Sequence, residues 1–305
     1  VIGYREALSL YKLPTSMAVI GSGAIGTELA FFYASMGTEV SLIEYLPNIV
    51  PPEDEEVSKQ LARSLKKAGI KIMTGTAVKN VETSPDKCIV NYTDKKGDNT
   101  LEAEIVLSAV GVVPNLQNIG LEELNIELEN GKIKVDEFYR TNIDGVYAIG
   151  DIVHGPALAH VASAEAITCI EKIAGLNPLV VDYSNIPSCV YSVPEIASVG
   201  ITEQEAVVKG IEFVIGKFPF IASGKAAAAG NKDGFVKLIF DKKSDELLGA
   251  HFIGDNVTEM ISEMVVLKKL NGKAKDLIKS IHPHPSLSEA IMEAAAAAHN
   301  EVIHL

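Results

Sequence analysis

Residues 17–30 read MAVIGSGAIGTELA, and this stretch decides the fold. Its first four residues are apolar and predict a short buried strand. Gly21, Gly23 and Gly26 then form the pattern G-x-G-x-x-G, and the residues after them predict a helix that ends near Met36. A second strand is predicted at residues 39–44. The order of strand, glycine turn, helix and strand is typical of a sheet unit that binds a dinucleotide.

Each glycine of this turn has its own physical task. Gly21 permits the tight turn, Gly23 lets the backbone approach a pyrophosphate, and Gly26 lets the helix pack closely on the strand. Ser22 and Ile25 lie between these glycines and are counted with them as coenzyme-binding residues. The pattern alone is a weak signal, because ordinary glycine-rich turns share it. Here a strand before it and a helix after it strengthen the interpretation.

Glu44 supports the same interpretation, because it lies at the end of the second predicted strand. A carboxylate at this position accepts a hydrogen bond from the 2′-hydroxyl of the adenosine ribose. The alternative is a solvated carboxylate without a ligand. No arginine lies between Glu44 and Arg63, so a 2′-phosphate has no evident partner and NAD is favoured over NADP.

The rest of the chain predicts an α/β fold class: a doubly wound nucleotide-binding domain plus a distinct α+β domain. The later elements are a helix at 54–69, a third parallel strand at 70–75, strands at 88–94 and 99–111, a strand at 141–151 that ends in Gly-Asp, a helix at 157–175, an antiparallel hairpin at 234–254, and two helices at about 255–270 and 286–299.

The composition excludes several classes of function. With 47% hydrophobic and 22% charged residues, the 305-residue chain has the balance of a folded protein. Its net charge of −13 argues against nucleic acid as a partner, which requires a basic surface. No apolar run is long enough to span a membrane. The chain begins at Val1 rather than Met, directly before a nucleotide-binding motif, and we expect it to be a fragment.

The three cysteines, Cys88, Cys169 and Cys189, are far apart and in no metal-binding spacing. We interpret them as free, packed thiols, and we expect no metal site. Free thiols favour a reducing compartment, so the expected location is cytoplasmic.

The sequence HPHPSLSEA at residues 282–290 predicts a stiff turn before the last helix, because its two prolines fix φ and lack N–H groups. Two interpretations of Glu289 are open. With Ser286 it forms a capping-box pattern at the start of the helix. Alternatively, it accepts a hydrogen bond from one ring nitrogen of His284 and leaves the other nitrogen as a base. His282 has no acid at the matching spacing and is interpreted as a local structural residue.

Five motifs in this chain, VIGSGAIGTELA, VGVVPN, TNIDGVYAIGD, GPALAH and HPHPSLSEA, resemble those of the flavin-dependent pyridine nucleotide–disulfide oxidoreductases, in the same order. The resemblance covers essentially the whole chain. It implies an NAD-binding domain at 1–113, the rear part of an FAD-binding domain at 114–182, and a dimerisation domain at 183–305.

The resemblance also implies roles for individual residues. Val78 and Gly111 help to hold NAD, although the chain departs from the family by having Val112 and Val113 where basic residues are frequent. Asp151 binds the ribityl or phosphate part of FAD, whereas its residue type alone favours a turn cap. The residues near the isoalloxazine ring are Ala157, Leu158, Ala159 and His160.

Within this family the chain is most similar to the members that oxidise dihydrolipoamide. The resemblance implies a homodimer in which His284, held by Glu289, is the base for the active site of the partner subunit. The base forms a thiolate that attacks a redox-active disulfide, and electrons pass through FAD to NAD. The implied partners are the lipoyl domains and E2 core of 2-oxo acid dehydrogenase complexes.

The redox pair Cys-x4-Cys and the first FAD-binding unit of the family are not in this chain. We therefore expect the full-length protein to be the enzyme and this fragment to be inactive alone. Two alternatives stay open: another NAD(P)H-dependent disulfide reductase of the same family, such as glutathione or mercuric reductase, and a non-catalytic module for NAD binding and dimerisation. Glu44 argues against the NADP-using members, and the pairing of His284 with Glu289 argues against mercuric reductase.

Overall fold

The computed structural model describes residues 1–305, which divide into two compact units. Residues 1–111 and 187–305 form the first unit, and residues 112–186 form the second. No helix in either unit combines the length and the apolar character that crossing a bilayer requires.

The N-terminal half of the first unit is built on a four-stranded parallel sheet. The elements are α1 (Tyr4–Ala7), β1 (Ser16–Ile20), α2 (Ala24–Ser35), β2 (Glu39–Ile43), α3 (Glu55–Lys67), β3 (Lys71–Met73), β4 (Ala77–Thr83), β5 (Cys88–Asp94), β6 (Gly97–Ala103) and β7 (Ile105–Ser108). The strand order in the parallel sheet is β3-β2-β1-β7. The central strand, β1, is buried on both faces, as expected for a parallel strand between covering layers. This confirms the predicted α/β class.

Between β3 and β7 the chain forms an antiparallel sheet of three strands, β4-β5-β6, where the sequence predicted two. The sequence missed β4 because most of its side chains are exposed and show no apolar alternation. The predicted strand at 99–111 is also wrong in extent. It breaks at Glu104, whose N–H donates to the hydroxyl of Ser16, and the chain passes there from the antiparallel sheet into the parallel one.

The second unit contains little regular structure, namely β8 (Leu128–Glu129), β9 (Lys132–Ile133) and α4 (Ala159–Ile173). Its small core is formed by Ile126, Ile133, Ala148 and Val153. The strand predicted at 141–151 is wrong. Gly145 and Gly150 have φ of 78° and 76°, which an extended strand does not allow, and residues 150–152 form a single 3₁₀ turn.

The C-terminal half of the first unit is a five-stranded antiparallel sheet covered by helices. The elements are β10 (Ser188–Val190), β11 (Glu195–Gly200), α5 (Glu203–Val208), β12 (Phe213–Pro219), α6 (Gly224–Ala229), β13 (Phe235–Asp241), β14 (Leu247–Gly254), α7 (Val257–Lys269), α8 (Ala274–Lys279) and α9 (Glu289–Ala298). The strand order in the sheet is β10-β11-β14-β13-β12. The predicted hairpin at 234–254 is confirmed. Three short helices, α5, α6 and α8, were missed, and the last helix begins at Glu289 rather than at residue 286.

Helix α9 lies unusually close to this sheet. It presents small side chains to β12, and a Cβ added at Gly216 would overlap the carbonyl oxygen of Ala294. Ala290, Ile291 and Ala294 are buried in the shared core. Because interiors are close-packed, this approach fixes α9, and with it Glu289, relative to the sheet.

A buried ion cluster joins the two halves of the first unit. The Lys237 Nζ on β13 lies 3.0 Å from both carboxylate oxygens of Asp54, 3.0 Å from Glu56 and 2.5 Å from Glu203. The side chains of Lys237 and Asp54 are 1% and 0% exposed. Burial alone would raise the pKa of Asp54, but the neighbouring ammonium group outweighs it and holds that pKa below its ordinary value. Burial likewise opposes the charge of Lys237, yet its carboxylate partners raise its pKa.

Candidate functional site

The glycine turn after β1 has the geometry that a phosphate cradle needs. Gly21 has φ of 97°, and a Cβ there would overlap the backbone of Ala109. A Cβ on Gly26 would overlap the carbonyl oxygen of Gly21, so the first turn of α2 packs directly on the strand end. Gly23, by contrast, has no heavy atom within 4 Å of its Cβ position. The open side of Gly23 at the start of α2 therefore leaves room for a pyrophosphate.

Glu44 braces this turn from the neighbouring strand. One carboxylate oxygen accepts from the N–H of Ser22 at 3.0 Å and from its hydroxyl at 2.7 Å, and the other accepts from the N–H of Leu46 at 2.8 Å. A carboxylate has about four acceptor sites, so about one remains for a ligand hydroxyl. The sequence placed Glu44 beside a ribose but did not predict that it also holds the turn.

The turn opens into a cleft of about 780 Å³, a volume typical of cofactor sites. Of the predicted NAD residues, six line this cleft: Gly21, Ser22, Gly23, Glu44, Val78 and Gly111. Ile25 and Gly26 do not line it, since Gly26 supports the turn from below and Ile25 lies partly exposed on α2. The sequence missed Pro51, Pro52 and Thr76, which also line the cleft. The two prolines lie in the loop between β2 and α3, and Thr76 lies in the turn between β3 and β4. The residues present fit a dinucleotide such as NAD.

His284 and Glu289 form a hydrogen-bonded pair at the start of α9. The Nδ1 of His284 lies 2.8 Å from one oxygen of Glu289, and the other oxygen accepts from the N–H of Ser286 at 2.8 Å. Burial alone would raise the pKa of Glu289, but the Ser286 N–H and the imidazole outweigh it and hold that pKa below its ordinary value. The His284 side chain is 81% exposed, so its second nitrogen is open to a substrate.

Glu289 therefore performs both of the roles that the sequence had left open. It holds the His284 ring and satisfies one backbone N–H before the helix. The predicted cap by Ser286 is wrong, because its hydroxyl contacts Ser288 instead and Ser288 occupies the N-cap position.

His282 has an acidic partner, although the local spacing had indicated none. Its Nε2 lies 2.9 Å from the carboxylate of Glu263, which belongs to α7 and comes 19 residues earlier. Local spacing could not reveal this partner, because it is supplied by another helix.

In the second unit, the residues implied for FAD lie together at one turn and the start of one helix. Asp151 is exposed in the 3₁₀ turn, and residues 157–160 lead into the first turn of α4. The turn is held by Glu165, which is buried and accepts from the N–H of Gly150 at 2.6 Å and from the hydroxyl of Tyr183 at 2.6 Å. The sequence analysis missed this role of Glu165. An acidic residue within an otherwise apolar helix was the feature that could have indicated it.

The three cysteines are free. Cys88 and Cys169 are buried at the start of β5 and within α4, and Cys189 is half-buried in β10. Burial raises the pKa of Cys169 and raises that of Cys189 to about 11, which disfavours the reactive thiolate form.

Comparison with known families gives a clear result. Residues 1–166 match the family described as pyridine nucleotide-disulphide oxidoreductase, and residues 186–295 match the dimerisation domain of the same family. The chain belongs to this family. The dimerisation match includes His284 and Glu289, and the first match includes the glycine turn and Asp151.

Among pyridine nucleotide-disulphide oxidoreductases, several curated relatives are called dihydrolipoyl dehydrogenase. The one from Zymomonas mobilis is 46% identical over 99% of this chain, and the one from Bacillus subtilis is 46% identical over 100%. A mitochondrial relative from Arabidopsis thaliana is 40% identical over 100%. The chain spans 65%, 65% and 61% of these relatives, respectively.

Two solved structures have the same fold as this chain. LpdA from Mycobacterium tuberculosis superimposes with a TM-score of 0.88 at 25% identity, covering 96% of this chain and 64% of that one. The flavoprotein disulfide reductase RclA from Escherichia coli superimposes with a TM-score of 0.87 at 24% identity, covering 95% and 66%. The latter likeness concerns the fold alone.

The position of Glu44 leads to a prediction about coenzyme choice. In the full-length protein, Glu44→Gln should weaken NADH binding by about 10-fold, because a charge-assisted hydrogen bond contributes about 1.5–3 kcal/mol. NADPH should lose less, since the substitution also removes a negative charge that repels its 2′-phosphate. Fluorescence titration with both coenzymes measures the ratio of dissociation constants.

Glu39→Gln is the matched control, because Glu39 is an exposed glutamate at the other end of the same strand. It should leave both affinities unchanged. If Glu44→Gln kept the wild-type ratio of NADH to NADPH affinity, the assignment of Glu44 to the ribose would be withdrawn.

Proposed function

We propose that this chain is the coenzyme-binding and dimerisation part of a dihydrolipoyl dehydrogenase. The proposed reaction is the oxidation of protein-bound dihydrolipoamide to lipoamide with reduction of NAD⁺. In this proposal residues 1–113 are the NAD-binding domain, 114–182 the rear part of the FAD-binding domain, and 183–305 the dimerisation domain. The names and the 40–46% identities of the curated relatives support this choice of reaction.

The observation that carries the proposal is the pairing of His284 with Glu289. A carboxylate at 2.8 Å from Nδ1 orients the imidazole and leaves Nε2 to accept a proton. In the proposed step, the S–H bond of dihydrolipoamide breaks and an N–H bond forms on Nε2. Glu289 then stabilises the imidazolium, and the resulting thiolate is the nucleophilic form of the substrate.

The coenzyme-binding residues are assigned by position. We assign Gly21, Ser22, Gly23, Glu44, Val78 and Gly111 to contacts with NAD, and Ile25 and Gly26 to the support of the glycine turn. Asp151 and residues 157–160 are assigned to FAD. When bound, FAD and NAD supply the hydride chemistry, while the residues of this chain bind and orient them.

The proposed quaternary partner is a second copy of the protein, because the matched dimerisation domain contains the base. The exposed His284 ring would then serve the active site of the partner subunit. The lipoyl domains and E2 core of 2-oxo acid dehydrogenase complexes are the proposed larger partners. The proposed location is the cytoplasm, where three unpaired thiols are stable.

The test is a comparison of substrates with the full-length protein. Dihydrolipoamide with NAD⁺ should give NADH, and NADP⁺ should be a poor substitute. Parallel assays with glutathione disulfide and with mercuric ion, each with NADPH, cover the other reductases of the family. Turnover of either compound in the absence of dihydrolipoamide activity would contradict the proposal.

A further inference from the structure

The turn before α9 contains a second imidazole–carboxylate pair, formed by His282 and Glu263. The His282 side chain is 8% exposed, in contrast to the open ring of His284, and its Nε2 lies 2.9 Å from Glu263. Its Nδ1 is buried without a hydrogen-bond partner. Glu263 is therefore the only polar group that anchors this ring.

The pair ties the turn to a fixed helix. Glu263 belongs to α7, and the neighbouring Ile261 and Met264 are buried in the core of the C-terminal sheet. The backbone of α7 cannot shift without disturbing that core. The carboxylate of Glu263 thus gives His282 a firm point of attachment.

The opposite end of the turn is held independently. Glu289 on α9 accepts from the Ser286 N–H and contacts the His284 ring. Between the two anchors lie Pro283 and Pro285, whose rings fix φ. The turn is thus a short, stiff bridge between α7 and α9, and it carries the exposed His284 at its centre.

We propose that His282 and Glu263 are positioning residues for the base His284. This inference rests on the proposed function, because it assigns the pair to the same proton transfer. His282 touches no substrate; it acts by setting the path of the backbone from which the His284 ring projects. Glu289 fixes the rotation of the His284 ring. The pair of His282 and Glu263 fixes the position of the backbone that carries this ring.

The expected effect follows from the exposure of the base. Only one hydrogen bond holds the His284 ring, so a displaced backbone carries the ring with it. A misplacement of about 1 Å can lower a rate by up to about 10²-fold. Loss of one of the two anchors should therefore lower the rate of the proton-transfer step by about 10-fold.

The experiment uses the full-length dimer and measures two half-reactions separately. Reduction of the oxidised enzyme by dihydrolipoamide requires the base, whereas reduction by NADH does not. His282→Ala and Glu263→Ala should each slow the first half-reaction by about 10-fold and leave the second unchanged. His282→Gln should restore most of the rate, because its amide N–H group can reach the carboxylate in place of Nε2.

Glu259→Ala is the matched control, since Glu259 is an exposed glutamate one turn earlier on α7. It should leave both half-reactions unchanged. Combined with Glu289→Gln, the His282→Ala change should cost less than the product of the two separate losses, because both act through one ring.

A wild-type rate in His282→Ala and Glu263→Ala would overturn the inference. So would an equal loss in both half-reactions together with a lower unfolding midpoint, which is the signature of a purely structural pair. Neither result would affect the proposed function, which fails only if the wild-type enzyme does not oxidise dihydrolipoamide or does so without His284.

Discussion

Replacing His284 by glutamine in the full-length protein should lower the rate of dihydrolipoamide oxidation by about 10²–10⁴-fold, the usual contribution of a general base. Glutamine keeps a polar side chain beside Glu289 but accepts no proton near neutral pH. Steady-state rates of dihydrolipoamide oxidation by the wild type and the variant measure the effect.

His299→Gln provides the matched control for this substitution. His299 also pairs with an acid, since its Nε2 lies 2.9 Å from Asp245, but it follows the far end of α9. Its replacement should leave the rate unchanged. NADH should bind equally well to wild type and His284→Gln. Near-normal turnover in His284→Gln would show that another group removes the proton.

The second large effect is expected on stability. Lys237→Met should lower the free energy of unfolding by about 3–5 kcal/mol, because it leaves Asp54 as a buried charge without its counter-ion. Methionine is close to lysine in length and apolar, so packing is largely kept and the loss reflects the uncompensated carboxylate. Denaturant unfolding of wild type and variant gives the difference.

The pH dependence of this difference has a definite sign. The folded pKa of Asp54 is lowered, so its contribution is present above the unfolded value near 3.9 and is lost as pH falls through the folded value. The folded pKa of Lys237 is raised, so its contribution is lost as pH rises above about 10. The two proteins should therefore differ most between about pH 4 and 10.

Lys242→Met is the control for the stability experiment. Lys242 and Glu212 form a solvent-exposed pair at 3.6 Å, and such pairs contribute about 0–1 kcal/mol. Comparable losses in Lys237→Met and Lys242→Met would contradict the importance that we assign to burial.

The parts of the fold that the sequence predicted have strong local patterns. The glycine turn and its flanking apolar runs predicted the parallel sheet, and two apolar strands joined by a charged turn predicted the hairpin at 234–254. The parts that it missed bury little. Strand β4 is largely exposed, and α8 is a six-residue helix that buries only Ala274 and Leu277.

For the candidate site, sequence distance decided what could be predicted. The contact between His284 and Glu289 spans five residues and was read from spacing. The contact between His282 and Glu263 spans 19 residues, and that between Ser22 and Glu44 spans 22. Lys237 lies within the predicted hairpin, and the sequence analysis assigned it no role. Its three acids come from α5 and from the region of α3, and no local pattern connects them.

The ion cluster also has a consequence for the order of events during biosynthesis. Lys237 follows Asp54 by 183 residues. At about 5–20 residues per second, the ribosome releases the lysine roughly ten to forty seconds after the aspartate. Throughout that interval Asp54 has been synthesised but its counter-ion Lys237 has not, so burial of Asp54 would leave its charge unpaired. We therefore expect α3 to dock late, only after the hairpin strand has been translated.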